Sequence, residues 1–175
     1  LVEGTQGFGL SVYHAPHYPY ATSRDTTASG FLSEVGVSPR LVTDIVMAVR
    51  SYPIRVAGNS GPLQDEITWD EVQRRSGCPH TVVELTTTTK KVRRVAMFDL
   101  EIVRRATFVN RPTQIFLHGT DYLGWPNKSL RDYQGLTSDT KSFIESLELA
   151  LGVPASLIGT GPDNKELVDL GSKLT

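Results

Sequence analysis

An α/β fold, with a mostly parallel sheet flanked by helices, is what this sequence predicts, on three observations. Strand-like apolar runs alternate with amphipathic stretches along the chain, without an internal repeat or a low-complexity tract. Several of those runs empty into glycine-bearing turns, the places where open α/β sheets bind ligands. Finally, 175 residues, 39% of them hydrophobic, suffice for a core, so residues 1–175 read as one domain or part of one.

The elements follow in order. Leu1–Glu3 reads as the end of a buried strand running into Gly4, and an opening without Met predicts a piece of a longer domain. Gly4, Gly7 and Gly9 form a turn, and residues 11–29 show neither helical nor strand period. His14, Pro16, His17, Tyr18, Pro19 and Tyr20 make that stretch an ordered binding loop rather than a disordered one. Ser38-Pro39 is a cap with proline at the first helical position, and Leu41, Val42, Ile45, Val46 and Val49 predict a helix over 39–51. A short strand over 53–57 ends in the Gly58–Pro62 turn. Thr68 and Glu71 form a capping box for a helix reaching about residue 75. Val82–Leu85 reads as a strand, and a helix is expected over 99–108. Thr113–Leu117 is a strand ahead of His118-Gly119-Thr120-Asp121. A helix capped by Ser138 stops at Gly152, ahead of Pro154. Ser156–Ile158 is a further strand, leading to Gly159-Thr160-Gly161-Pro162-Asp163 and a last helical turn. The Gly4, Gly58, His118 and Gly159 turns are expected at one crevice.

Composition excludes several functions. Eighteen basic residues against 19 acidic give a net charge of -1, so no global field recruits nucleic acid or an anionic membrane, and any anion site is local. Apolar runs fall short of the roughly 20 residues of a membrane span. The single cysteine, Cys78, excludes an internal disulfide and suits a reducing compartment, so cytoplasm is the expected location. Cys78, Trp69 and Trp125 read as core or rim.

Chemistry concentrates in three places. Thr86-Thr87-Thr88-Thr89-Lys90-Lys91-Val92-Arg93-Arg94 supplies four hydroxyls and four cations, the inventory for gripping carboxylates and phosphates. A solvated basic strand, or a nuclear-localisation-like run, fits the same residues. The threonines favour the anion site, because an extended backbone leaves N–H groups free. Asp121 can accept bonds from a purine's N–H groups, or merely cap a turn. Gly159–Pro162 can bring bare backbone against a flat base, or form an unliganded turn. His14 and His17 lack a third metal ligand and read as loop-packing residues. A Gly-x-x-x-x-Gly-Lys-Ser/Thr loop, a Gly-x-Ser-x-Gly elbow and a zinc cluster are all missing from the sequence.

Five segments, in order along nearly the whole chain, resemble the adenylosuccinate synthetases: Glu3–Gly7, Tyr18–Ser23, Arg55-Val56, Thr88–Asp99 and Gly159–Asp163. The resemblance implies the C-terminal portion of a P-loop NTPase-like domain. The family's N-terminal half, with its phosphate loop, Mg²⁺-binding aspartate and catalytic histidine, has no counterpart here. No catalytic residue and no metal ligand are therefore expected in this chain. Family enzymes phosphorylate the purine O6 with a nucleoside triphosphate, and the aspartate amine then displaces that phosphate.

By position, the resemblance puts Gln6, Thr22 and Lys91 at the acceptor nucleotide and Val56, Thr88, Thr89 and Lys91 at the aspartate. Arg93 would reach the donor phosphates, and Gly119, Asp121, Gly159, Thr160, Gly161 and Pro162 would hold the donor base. Two departures stand out: Lys91 replaces the arginine expected at the ribose 2′-hydroxyl, and Gly119-Thr120-Asp121 replaces Lys-x-Asp. Lysine does not substitute for arginine at a bidentate site. Thr22–Asp25 and Thr88–Val95 resemble the bacteriophage branch of the family, which joins L-aspartate to dGMP with ATP or dATP on the route to 2-aminoadenine. The alternatives are an ordinary member acting on IMP with GTP, or an inactive nucleotide-binding relic. Implied too are a homodimer whose partner lends a residue, the N-terminal half carried elsewhere or on a second chain, and host cytoplasm if phage-encoded. No nucleic acid or membrane partner is implied.

Overall fold

A computed structural model describes residues 1–171. In chain order its elements are α1 (Ala28–Val35), β1 (Val46–Arg50), β2 (Ile54–Arg55), β3 (Glu66–Ile67), α2 (Trp69–Ser76), β4 (Arg94–Ala96) and α3 (Leu100–Asn110). There follow β5 (Gln114–His118), α4 (Thr120–Leu123), α5 (Ser138–Leu151), β6 (Ala155–Gly159) and β7 (Leu167–Asp169).

The larger sheet runs β1-β5-β6-β7. β1, β5 and β6 are parallel and β7 closes the edge antiparallel, which is the α/β arrangement expected. Ile115, Leu117 and Ile158 on its central strands are fully buried with Ile144 and Leu147 of α5, and Phe98, Leu100 and Val103 pack against this core. Each such burial contributes about 1.5–3 kcal/mol. A second, antiparallel sheet, β2-β4-β3, was not expected. It shares a smaller core with α2, where Val72 and Val95 meet Trp69 and Cys78; Trp125 packs at its rim.

Several elements obey their caps. Thr68 accepts from the Glu71 amide at 3.1 Å, and α2 ends at left-handed Gly77. Asp99 accepts from the Glu101 and Ile102 amides and starts α3. Left-handed Gly152 ends α5 as expected, but Thr137, not Ser138, caps its start.

Other expectations are corrected. The helix over 39–51 is a single 3₁₀ turn, Pro39–Leu41, followed by strand β1. Its β-branched residues satisfy both periods, and β5 decides the outcome by pairing with β1 across five residues. Leu1–Glu3 forms no strand and is exposed, because no described strand pairs with it. The irregular loop ends at Thr27, which accepts from the Gly30 amide and starts the unexpected helix α1. Val82–Leu85 holds a single bridge, Leu85 to Val92, in place of a strand. The last segment is strand β7 rather than a helical turn, since it pairs with β6.

Candidate functional site

The loop over 11–27 is organised by fully buried Ser11. Its hydroxyl accepts from the Tyr13 and His14 amides at 3.2 and 3.3 Å and reaches the Arg24 carbonyl at 3.2 Å. The Thr22 amide donates to the Leu10 carbonyl at 2.8 Å, which fixes Thr22 beside the opening turn. There the Thr22 hydroxyl donates to Gln6 Oε1 at 3.1 Å. Gln6 adopts a left-handed backbone, φ 65°, uncommon for a side chain of its size. Two of the three residues expected at the acceptor nucleotide are thus in contact, while Lys91 lines a smaller cavity instead of the cleft around them. His14 stacks on Phe8 at 4.9 Å, with its Nε2 3.9 Å from Asp25, consistent with loop packing.

Gln6 and Thr22 line a cleft of about 1880 Å³ together with Arg55, Val56 and Arg93. Arg55 is buried, donating to the Ser60 carbonyl at 2.5 Å and the Gly9 carbonyl at 3.3 Å. Burial first, and neighbouring Arg94 second, lower its pKa. Arg94 is neutralised by Glu66 at 2.5 Å.

Val56, Ala57 and Arg93 also border a second cavity of about 380 Å³, completed by Thr86–Thr89 and Lys91. The structure therefore brings together Val56, Thr88, Thr89 and Lys91, and attaches them to the larger cleft through Arg93. The threonine run is not extended as expected. Lys90 is left-handed, φ 52°, and the Thr86 and Lys90 amides donate across the loop to the Lys91 and Thr86 carbonyls at 2.9 and 3.1 Å. The Lys91 amide donates to the Thr86 hydroxyl at 3.0 Å, closing a tight turn. The amides of Thr87, Thr88 and Thr89 keep no backbone partner among the described residues. Lys91, Arg93 and Arg55 form no ion pair with a described carboxylate. Arg55 and Arg93 line the larger cleft and Lys91 and Arg93 the smaller one, beside the threonine hydroxyls and amides, an inventory suited to anions.

The residues expected at the donor base gather elsewhere, at the carboxyl ends of β5 and β6, so the four turns form two groups instead of one crevice. The Gly4 and Gly58 regions serve the cleft; the His118 and Gly159 turns meet each other. Gly119 is left-handed, φ 84°, and its carbonyl accepts from the Ser51 hydroxyl at 2.6 Å. Buried Thr120 donates to the Gly159 carbonyl at 3.0 Å, and buried Thr160 donates to the Leu130 carbonyl at 2.8 Å. Both threonine hydroxyls are thereby engaged in holding the loops. Asp121 is buried, and burial raises its pKa against the opposing pull of Lys128. Gly161 is buried and Pro162 exposed.

Three residues at this place were not anticipated. Lys128 pairs with Glu166 at 2.6 Å directly over Gly161, where a Cβ would collide with both. Lys128, then Ser129 and the Asp163 amide, pull the Glu166 carboxyl down to about 2. Asn127 is fully buried and donates to the Thr120 carbonyl and the Thr140 hydroxyl at 2.9 and 2.8 Å, and it accepts from the Thr137 amide at 2.9 Å. A Lys and a Glu separated by 38 positions carry no sequence signal of pairing. His118 stays below the usual imidazole range through burial, then Arg50, and its Nδ1 is buried without a partner.

Among the described residues there is no group of three or more His, Cys, Asp or Glu that could hold a metal ion. No described helix is long and apolar enough to cross a membrane.

Comparison with known proteins adds the family. The model of the family Adenylosuccinate synthetase matches residues 1–128. Adenylosuccinate synthetase from Archaeoglobus fulgidus is 39% identical over 170 residues, 97% of this chain and 48% of that protein. Its counterpart from Methanocaldococcus jannaschii is 38% identical over 174 residues, 99% of this chain and 48% of that one. The chain spans about half the length of these curated relatives. Fully ligated adenylosuccinate synthetase from Plasmodium falciparum shares the fold, with a TM-score of 0.81 at 22% identity, over 95% of this chain and 49% of that one. Cyanophage S-2L succinoaminodeoxyadenylate synthetase (PurZ), bound to dGMP and to dATP as an energy donor, superposes with a TM-score of 0.73 at 26% identity, over 95% and 45%. A matching family model over most of the chain, and relatives aligned almost end to end with it, agree with the hydroxyl-and-cation site, and the chain belongs to the adenylosuccinate synthetase family.

Proposed function

We propose that the chain is the C-terminal part of a purine nucleotide ligase of the phage branch. It joins L-aspartate to dGMP at the purine 6 position with ATP or dATP, through a 6-phosphoryl intermediate. The observation that carries this is the approximately 380 Å³ cavity, in which Val56, Thr88, Thr89 and Lys91 surround a volume suited to a small dicarboxylate. Lys91 there stands where an arginine is expected, and the likeness to the cyanophage enzyme, whose structure holds dGMP and dATP, supports the same substrates.

The residues act by binding and orientation. Gln6 and Thr22 take the acceptor nucleotide, Thr22 near its phosphate. Arg93, on the wall between the two cavities, faces the transferred phosphoryl group and stabilises its charge. Gly119, Asp121, Gly159, Thr160, Gly161 and Pro162 hold the donor base. The chemistry of Mg²⁺, phosphate loop and base belongs to the rest of the family fold, and the assembly is a cytoplasmic homodimer.

The second reading is an ordinary adenylosuccinate synthetase using IMP and GTP, favoured by the names of the curated relatives. Coupled turnover on this chain joined by the remaining half of the family fold decides between them. With aspartate and Mg²⁺, product from dGMP and ATP is expected. Product from IMP and GTP alone would make the second reading correct. In the same assay Lys91→Arg is expected to shift preference from deoxyribonucleotide toward ribonucleotide about tenfold, the effect of one hydrogen bond to the 2′-hydroxyl. An unchanged ratio would remove Lys91 from the selectivity.

A further inference from the structure

The threonine turn is carried on a two-sided arm. Leu85 and Val92 form an antiparallel bridge, and the Arg93 amide donates to the Glu84 carbonyl at 2.8 Å, so Glu84 and Arg93 face each other at the base of the arm. Among the described residues, the hydrogen bonds of Thr86–Lys91 all close within the turn itself. Burial does not hold the arm either, since Val83, Leu85 and Val92 are exposed. Its place is therefore set at the base. On the returning side Arg93 runs into β4, and its carbonyl accepts from the Trp69 indole N–H. On the outgoing side, beyond buried Val82, the attachment is the side chain of Glu84.

Glu84 Oε1 accepts from an Arg50 guanidinium nitrogen and from the Tyr122 hydroxyl, the latter at 3.2 Å. Arg50 ends β1, and Tyr122 follows Asp121 in α4. An isolated exposed ion pair contributes little. This carboxylate has a second donor, and its side chain is only 23% exposed. Burial first, and the charge of Glu84 second, raise the Tyr122 pKa, so its hydroxyl keeps the proton that it donates. One carboxylate thus joins the arm beneath Thr88, Thr89 and Lys91 to the loop that carries Asp121, across the gap between the two groups of turns.

We infer that Glu84 is a positioning residue for the smaller cavity: without touching a ligand, it fixes where the Thr86–Lys91 turn stands against Val56 on the opposite wall. The inference rests on the ligase reading for the occupant of that cavity, the aspartate. The mechanical link is the same whichever nucleotides the enzyme uses.

The test uses this chain joined by the remaining half of the family fold. Glu84→Ala removes both bonds, Glu84→Gln keeps an oxygen that can accept from Tyr122, and Tyr122→Phe removes only the hydroxyl. Glu84→Ala is expected to raise the aspartate KM roughly tenfold, the scale of one charge-assisted hydrogen bond, with kcat and both nucleotide KM values changed less than about twofold. Glu84→Gln should recover part of that loss, and Tyr122→Phe should show the same selective rise at about threefold. Amide exchange should quicken at Lys91 and Arg93 in Glu84→Ala while the amides of β5 keep the parent rate. Three results would overturn the inference: an unchanged aspartate KM, equal rises in the aspartate and nucleotide KM values, or unchanged exchange at Lys91 and Arg93. Product from IMP and GTP alone would defeat the dGMP reading and leave these comparisons intact. An enzyme that turned over nothing would defeat the ligase reading, and the exchange rates would still decide this one.

Discussion

The two cation-bearing regions of this molecule are built on opposite plans. Around the paired cavities, Lys91, Arg93 and buried Arg55 form no ion pair with a carboxylate among the described residues. At the ends of β5 and β6, Lys128 is matched to Glu166, the Thr120 and Thr160 hydroxyls are bonded, and Asn127 ties the loops together. The first region holds unneutralised charge, so an anion can complete it. The second has its cation and its loop hydroxyls engaged internally and offers a fixed surface. A phosphate or carboxylate calls for the first plan, a flat uncharged base for the second.

The contrast breaks first if the second region does not depend on its internal bonds. Asn127→Ala removes three hydrogen bonds; the Thr120 carbonyl and the Thr140 hydroxyl keep the Gly124 amide and the Thr137 hydroxyl, and the Thr137 amide is left unpaired. A loss of about 3 kcal/mol in denaturant unfolding is expected, from three hydrogen bonds of about 1 kcal/mol each. The opposite is expected of Arg93→Ala. Stability should change by less than about 0.5 kcal/mol, while calorimetric affinity for nucleoside triphosphate falls roughly 10- to 100-fold, matching a charged hydrogen bond of about 1.5–3 kcal/mol.

Asp121 sharpens the comparison through pH. Its folded pKa is raised by burial, so the protonated form is favoured on folding. The associated stability is present at low pH and lost as pH rises through that raised value. Thermal melts from about pH 4 to about pH 8 should show Asp121→Asn gaining stability over the parent toward neutral pH while weakening donor binding. Glu166 has the reverse sign and the smallest effect. Its carboxyl, lowered to about 2, contributes stability near neutral pH that is lost as pH falls from 4.5 through about 2. Glu166→Gln should therefore lower the melting temperature slightly at pH 7 and converge with the parent in acid, as a partly screened pair does.

What the sequence revealed follows the range of each interaction. Caps are local, so Thr68, Asp99 and Gly152 mark helix ends correctly. Hydroxyls and cations packed into one short run are local too, and the threonine loop with Lys91 and Arg93 indeed lines a cavity. β1 was misread because Leu41–Val49 serves either period and its outcome depends on a strand 68 positions away. Lys128 and Glu166 escaped notice for the same reason. The turn in Thr86–Lys91 required left-handed Lys90, a conformation that lysine does not advertise.

Arg93 stands where the two cavities meet, and its own carbonyl accepts from the Trp69 indole N–H at 2.7 Å. That bond turns a buried aromatic residue into a spectroscopic witness of the shared wall. Indole emission depends on the field around the ring, so a ligand that draws the Arg93 backbone toward either cavity would change the fluorescence of Trp69. The chain has two tryptophans, and Trp125→Phe would leave this one alone. Titration of each substrate could then be followed optically, with no label, from a position that touches neither.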